Sequence, residues 1–299
     1  MFKLLREQKG SVAVLTAVAV TALLGLAAIT VDIGNLYLNK TQLANMADAA
    51  ALAGARDLPE GEEQAMLAAN NYAERNGKPG DTIVMAVNGD NTVINVTVRR
   101  QVPLIFAKVF NFMSSEVSAT AKASNQVVTG VTGAVPFSVE KQNFIFNTPY
   151  ILKEGGGAGS DGNYGGLGLG GTGANVYNYN IRYGYDGRLA VGQWVDTEPG
   201  NMSGPTSDGV RYRISLDPYA TFDTVTHDSP RIIIVPIIDN LDVNGREPVQ
   251  IVGFGAFFLE SVGGSGNKNY VTGRFMRMYI VGEQGSATDY GVRNVRLIS

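Results

Sequence analysis

Residues 11–31 read SVAVLTAVAVTALLGLAAITV and contain no charged side chain. At a rise of about 1.5 Å per residue, a helix of that length covers roughly 30 Å, the thickness of a bilayer's hydrocarbon core. Lys9 and Asp32 mark its two edges. A cleaved signal peptide is the competing reading, but it calls for a shorter apolar run and a small-residue cleavage site after it. Here a helical pattern continues instead, so the run reads as a retained transmembrane anchor. Lys3, Arg6 and Lys9 precede it, with Glu7 as the one acid among them. The positive-inside rule then puts the N-terminus in the cytoplasm and the bulk of the chain outside. The expected location is the bacterial cytoplasmic membrane, crossed once, with the outer part reaching the cell surface.

Working outward, the helix runs past the membrane. Between Asp32 and Arg56 the apolar residues Ile33, Leu36, Tyr37, Leu43, Ala44, Ala47, Ala51 and Ala55 recur at helical spacing. Alanine dominates the stripe, so another backbone can come close to it. Leu36, Leu43, Ala47, Ala51 and Ala55 are the packing positions, either under the adjacent globular domain or against other copies of the helix. A single helix over residues 10–56 is about 70 Å long, half for the membrane and half for a head.

This stretch, from Gly10 through the apolar run to VDIGNLYLNKTQLANMADAAALAGA, resembles the Tad/Flp pilus-assembly TadE/TadG-like family. Gly10, Asp32, Gly34, Leu43, Ala47, Asp48, Ala49, Ala50, Ala51, Leu52, Ala53 and Ala55 carry the resemblance. The Gly-rich segments of the second half resemble TadG-like members with a β-rich C-terminal domain. The resemblance implies a role in building an adhesive surface filament, as a minor-pilin-like or envelope-spanning component. It also implies a leader-cleavage position between Gly10 and Ser11, after a short basic leader. The fifth position after such a cut is Leu15, where processed pilins carry Glu, and this departure favours the TadG-like members.

The rest of the chain predicts an α+β fold. Residues 1–10 are the basic N-terminus or leader, 11–31 the span, 32–128 the pilin-like helix with a small α+β head, and 129–299 a mainly β extracytoplasmic domain. In the head, Leu58-Pro59-Glu60-Gly61 breaks the long helix and Glu63 to Arg75 forms another, ended by Asn76-Gly77 in a left-handed cap. Asp81 to Val87 and Thr92 to Val98 alternate as strands around the hairpin signal Asn88-Gly89-Asp90. Pro103 to Phe110 reads as a short helix and Glu116 to Val128 as a third strand. Thr129 to Gly133 reads as a linker. Beyond it Val210 to Leu216, Arg231 to Ile238, Pro248 to Leu259, Tyr270 to Gly282 and Val292 to Ile298 are strand candidates for a sandwich or barrel with Gly-rich loops. Ala174 to Arg182 is the one helix expected there.

Composition limits the chemistry. The 299 residues include no Cys and one His and carry a net charge of −3. Thiolate sites, disulfides and His-rich metal sites are thereby excluded, and no basic excess serves a nucleic acid. No catalytic residue and no cofactor are assigned. Asp239, Asp242 and Asn244 alternate before Gly245 like calcium ligands, but the closing Glu of such a loop is missing. The run Gly168 to Gly173 matches a dinucleotide fingerprint, but a Gly-rich loop precedes it where the mechanism needs a buried strand, and the expected compartment is outside the cell; an anion nest or a structural loop are the other readings. His227, Asp228 and Ser229 are neighbours in a turn, unlike a triad assembled from distant positions. Glu140, Glu154, Asp161, Asp186, Asp196 and Glu198 supply acids for a carboxylate pair, although exposed turns are their ordinary place. Tyr177, Tyr179, Tyr183, Tyr185 and Trp194 form either core or a contact surface.

The expectation is therefore a membrane-anchored structural component of a Tad/Flp pilus system, not an enzyme. Its partners are the lipid bilayer, other pilus-assembly proteins or pilin-like subunits through the N-terminal helix, and a cell-surface or host ligand through an adhesive β domain. The alternatives are an anchored binding module unconnected with a pilus, or a stalked extracellular hydrolase.

Overall fold

The computed structural model describes residues 9–154, 165–243, 245–266 and 269–298. The fold is α+β: a long N-terminal apolar helix, mixed sheets with helices, and a mostly β C-terminal region. The chain divides into two compact units, residues 1–125 with 296–299, and residues 126–295.

The first unit holds α1 (Lys9–Asp57), a 3₁₀ turn (Leu58–Glu60), α2 (Glu62–Asn76), β1 (Thr82–Val87), β2 (Val93–Pro103), a second 3₁₀ turn (Ala107–Phe110) and the first part of β3 (Ser114–Val131). α1 stops where Pro59 enters the new turn and Gly61 takes φ +115°, a conformation open to glycine and costly for other residues. Gly77 ends α2 with an extended backbone, not the left-handed cap expected. A Cβ there would come within 3.0 Å of the Ala73 carbonyl oxygen and 3.1 Å of Met46, so closeness rather than handedness requires glycine.

β1, β2 and β3 form an antiparallel sheet in that order. Its inner face sets large against small: Ile94 lies opposite Ala123, Val96 opposite Ala121 and Val98 opposite Ala119. All six are buried, as are Ala65, Ala69 and Ala73 of α2. The outer face is exposed, with Thr97 hydrogen-bonded to Thr120 across the strands. One apolar face covered by two helices and one polar face in water is the usual balance of such a sheet.

The second unit contains β4 (Val139–Glu140), β5 (Pro149–Glu154), α3 (Ala174–Tyr183), β6 (Leu189–Ala190), β7 (Trp194–Asp196), α4 (Ser203–Leu216), β8 (Ile232–Ile238), β9 (Pro248–Gly263), β10 (Tyr270–Met276), β11 (Met278–Tyr279), β12 (Glu283–Gly285) and β13 (Val292–Ile298). The main sheet runs β4-β8-β9-β10-β5, with β7 also on β9. Its strands alternate between two cores, as the pleat dictates. Ile233, Val235, Phe257, Phe275, Ile181 and Val210 share one core. Val128, Leu167, Leu189, Phe254, Ala256 and Val292 share the other.

Two sequence expectations fail in this unit. Thr129 to Val131 is no linker: it is the end of β3, paired with β6 and β12. Val210 to Leu216 is no strand but the second half of α4, so two helices, not one, lie among the unit's described residues. The buried stripe of α4 is Thr206, Gly209, Val210 and Arg213, a helical spacing that apolar periodicity alone does not reveal. Gly209 lets α4 meet α3, since a Cβ would lie 2.6 Å from Ile181 Cγ2. The Arg213 guanidinium donates to the carbonyls of Ile181 and Pro230, and burial pulls its pKa down to about 10.

Candidate functional site

The first half of α1 is an uncovered apolar cylinder. Its most apolar stretch has a mean hydropathy of 2.5, and none of it is buried. Leu15, Leu23, Leu24 and Leu26 are each about two-thirds exposed. The threonine hydroxyls of the run are satisfied by the helix itself. Thr16, Thr21 and Thr30 donate to the carbonyl oxygens of Val12, Ala17 and Leu26 at 2.9, 2.8 and 2.8 Å. A helix in hydrocarbon requires such internal pairing, because no water is present to supply it. By length and composition this helix can cross a membrane.

One residue beyond the run the surroundings change. Asp32 is 6% exposed. Its carboxylate accepts from the backbone N–H of Ile105 at 2.7 Å, of Phe106 at 3.0 Å and of Ala107 at 2.8 Å. It therefore caps the 3₁₀ turn Ala107–Phe110, whose first N–H groups have no partner inside the turn. Burial works against the charge, but the three N–H donors and nearby Lys108 outweigh it and hold the carboxyl below its ordinary range.

Past Asp32 the contacts climb the head in order. Asn35 Nδ2 reaches the Pro103 carbonyl at 3.4 Å, Asn39 Oδ1 accepts from Arg100 at 2.9 Å, and Lys40 donates to the Ser118 carbonyl. Leu43, Ala47, Ala51 and Ala55 are fully buried against α2 and the sheet, and Leu36 is half-buried. The alanine stripe is thus filled by the unit's own elements. On the other side of α1, Ile33, Tyr37 and Leu38 are exposed, and Gly34 has nothing within 4 Å of where a Cβ would be. Gly10 and Ser11, at the leader position, lie in the first turns of α1.

The remaining sequence candidates do not come together. Asp239 Oδ1 accepts from the backbone N–H of Asn240 and Gln250, and the Asn240 side chain accepts from Asp242, so the hairpin uses these oxygens itself. Asn244 lies outside the described residues, as does Asp161. Among the described residues no three His, Asp or Glu side chains form a metal-holding group. His227 Nε2 lies 2.9 Å from the Tyr279 carbonyl oxygen, while the Ser229 hydroxyl donates to Asp217 at 2.5 Å, so His227 and Ser229 face different partners. The Gly-rich run does lead into a helix, α3, but the chain supplies its own anion there. Buried Glu198 accepts from Gly173 N–H at 3.2 Å and from Arg246 at 3.0 Å. Tyr177 is core, whereas Tyr179, Tyr183 and Trp194 are exposed.

Sequence reasoning took Asp32 as an edge marker and missed its role as a cap. The available signal was an acid directly after an apolar run, followed far downstream by Pro103-Leu104-Ile105-Phe106. The Arg100–Asp81 pair also escaped it.

A family model described as putative Flp pilus-assembly TadE/G-like matches residues 10–57, which is α1 almost to the residue. No curated protein and no solved structure matched.

Proposed function

We propose, on the premise that residues 10–57 form a TadE/G-like segment, that this protein is an anchored structural component of a tight-adherence pilus-assembly system. α1 crosses the cytoplasmic membrane once, with residues before the run in the cytoplasm and everything after residue 31 outside. The observation that carries this reading is the abrupt change along one unbroken helix. From Val12 to Val31 every large apolar side chain is exposed; from Leu43 onward the inner face is buried. A soluble protein has no use for so long an uncovered apolar cylinder.

The exposed side of α1 at Ile33, Gly34, Tyr37 and Leu38 is where other pilus subunits or assembly proteins pack. The alanine stripe is already occupied. The protein acts by binding and not by catalysis, a reading supported by the side chains of His227, Ser229 and Glu198, each engaged in a structural contact. An adhesive role for the second unit draws on the open cleft of about 580 Å³ between α3 and α4. Tyr179, Tyr183, Arg182, Asn178 and Asp208 line it. Exposed tyrosines with hydrogen-bonding neighbours are typical of contact surfaces.

The test is intact-mass and N-terminal analysis of the protein from native membranes and from sheared surface filaments. A chain beginning before residue 12 and held in membranes supports the anchor. A start at Ser11 in the sheared fraction makes it a processed filament subunit. Release as a chain starting beyond residue 31 rules out the anchor.

A further inference from the structure

We infer that the loop from Ile105 to Met113 is a second membrane contact, which sets its apolar side chains into the outer-leaflet interface beside the span. The inference rests on the anchoring proposed above and adds a site to it.

Val109 is 84% exposed and Phe110 74%, and Ile105, Phe106, Phe112 and Met113 are exposed with them. Six large apolar side chains within nine residues, with Lys108 as the one charge, make a contiguous patch of the kind that marks a contact surface. The loop is a built element. Leu104 N–H donates to the Met113 carbonyl at 3.0 Å and closes its base, and Leu104 is buried beneath it. Asn111 takes φ +66°, and its N–H donates to Lys108 at 3.0 Å, turning the chain back. The patch therefore faces outward from a fixed frame.

Its level along α1 identifies what covers it. The carboxylate of Asp32 holds the N–H groups of Ile105, Phe106 and Ala107. Asp32 directly follows Val31, the last residue of the uncharged run. The loop thus begins at the height where the span leaves the hydrocarbon. Phenylalanines suit the acyl boundary, and a lysine among them reaches the phosphate level. The other end of β2 offers a contrast: the turn Asn88 to Thr92 is polar and about 33 Å away along the strand.

The chain has no cysteine, so single probes can be placed cleanly. Full-length protein carrying Leu23→Cys, Val109→Cys or Asp90→Cys, each labelled with an environment-sensitive fluorophore, is reconstituted into phosphatidylethanolamine–phosphatidylglycerol vesicles. Lipids bearing shallow or deep nitroxides are the quenchers. The expected result is deep quenching at position 23 and shallow quenching at 109 several-fold above the baseline at 90. Quenching at 23 with position 109 no more quenched than 90 overturns the loop contact and leaves the anchor standing. Loss of quenching at 23 removes the anchor, and the loop contact with it. Efficient cross-linking between Val109→Cys probes of two molecules, with shielding from the nitroxides, assigns the patch to a second copy and likewise overturns the inference. Val109→Asp with Phe110→Asp should abolish the shallow contact without shifting the melting temperature, since both side chains are exposed.

Discussion

Arg100 closes a two-point fork on Asp81, Nε to Oδ1 and Nη2 to Oδ2, both at 2.7 Å, and its remaining nitrogen reaches Asn39 at 2.9 Å and Gln42 at 3.1 Å. The pair is buried, with side-chain exposures of 8% and 4%. One guanidinium thus joins the turn before β1, the end of β2 and the first polar turns of α1. Removing one partner leaves the other charge buried and unpaired, which costs about 3 kcal/mol. Asp81→Asn and Arg100→Met should each lower the denaturation midpoint of the detergent-solubilised protein accordingly, and the double variant Asp81→Leu with Arg100→Met should recover part of the loss. Wild-type stability in either single variant would show that the fork is idle.

The same fork gives a pH dependence of known sign. Hydrogen bonding to Arg100 holds the Asp81 carboxyl below its ordinary 3.8, against an opposing desolvation. The Asp32 carboxyl is also lowered. A lowered carboxyl adds stability that is fully present above the unfolded pKa and is lost as pH falls through the folded one. Thermal stability should therefore hold down to roughly pH 5 and drop below pH 4, more steeply in the wild type than in Asp81→Asn. His227 has the opposite sign. Its pKa is raised by the Tyr279 carbonyl and by Asp228, so its contribution is complete below 6.5 and fades as pH rises through the folded value.

Gly54 allows α1, α2 and the sheet to meet. A Cβ there would lie 2.7 Å from Ile94 Cδ1 and 2.8 Å from the Ala65 carbonyl oxygen. The oxygen belongs to the α2 backbone and cannot step aside alone. In an open helix Gly→Ala gains up to about 1 kcal/mol, but overpacking a filled core costs about 1–3 kcal/mol. Gly54→Ala should therefore destabilise, and Gly25→Ala, with open space around it, should not. Chemical denaturation of both variants decides this.

Gly34 is the counterpart on the exposed side. Nothing stands within 4 Å of its Cβ position, so Gly34→Leu should leave the melting curve in place. If other subunits pack here, the same change should reduce co-purification with pilus proteins at least several-fold. Unchanged co-purification would move the subunit contact elsewhere.

The long apolar helix and most strands were legible in the sequence because their signals are local. An uncharged run of the right length, and alternation around Asn88-Gly89, need no knowledge of what lies across the fold. The failures share one cause. Asp32 is satisfied by backbone N–H groups of Ile105 to Ala107, which have no side-chain signature. α4 buries threonine, glycine and arginine, so its face does not register as hydrophobic. Thr129-Gly130-Val131 looks like a linker because it is rich in turn-forming residues, yet Gly130 and Val131 pair with Ala190 and Leu189. Glu198 occupies the helix end that the Gly-rich run suggested for a foreign anion. In each case the deciding partner lies well away in sequence, where composition and spacing carry no information about it.

The Asp32 cap also fixes a height. Sliding α1 by one residue would shift it 1.5 Å and turn it by about 100°, which would carry the carboxylate away from all three N–H groups at once. Under the anchoring proposed above, the apolar half of α1 therefore cannot be drawn in or out of the bilayer independently of the sheet beside its other half. Under that anchoring, tilting is one way for the helix to meet a thinner membrane, and a tilt of α1 swings α2 and the β1-β2-β3 sheet with it. On the same premise, bilayer thickness thus becomes a tilt of α2 and the β1-β2-β3 sheet, which the Asp32 cap, the Arg100 contacts and the buried alanine stripe together hold on α1.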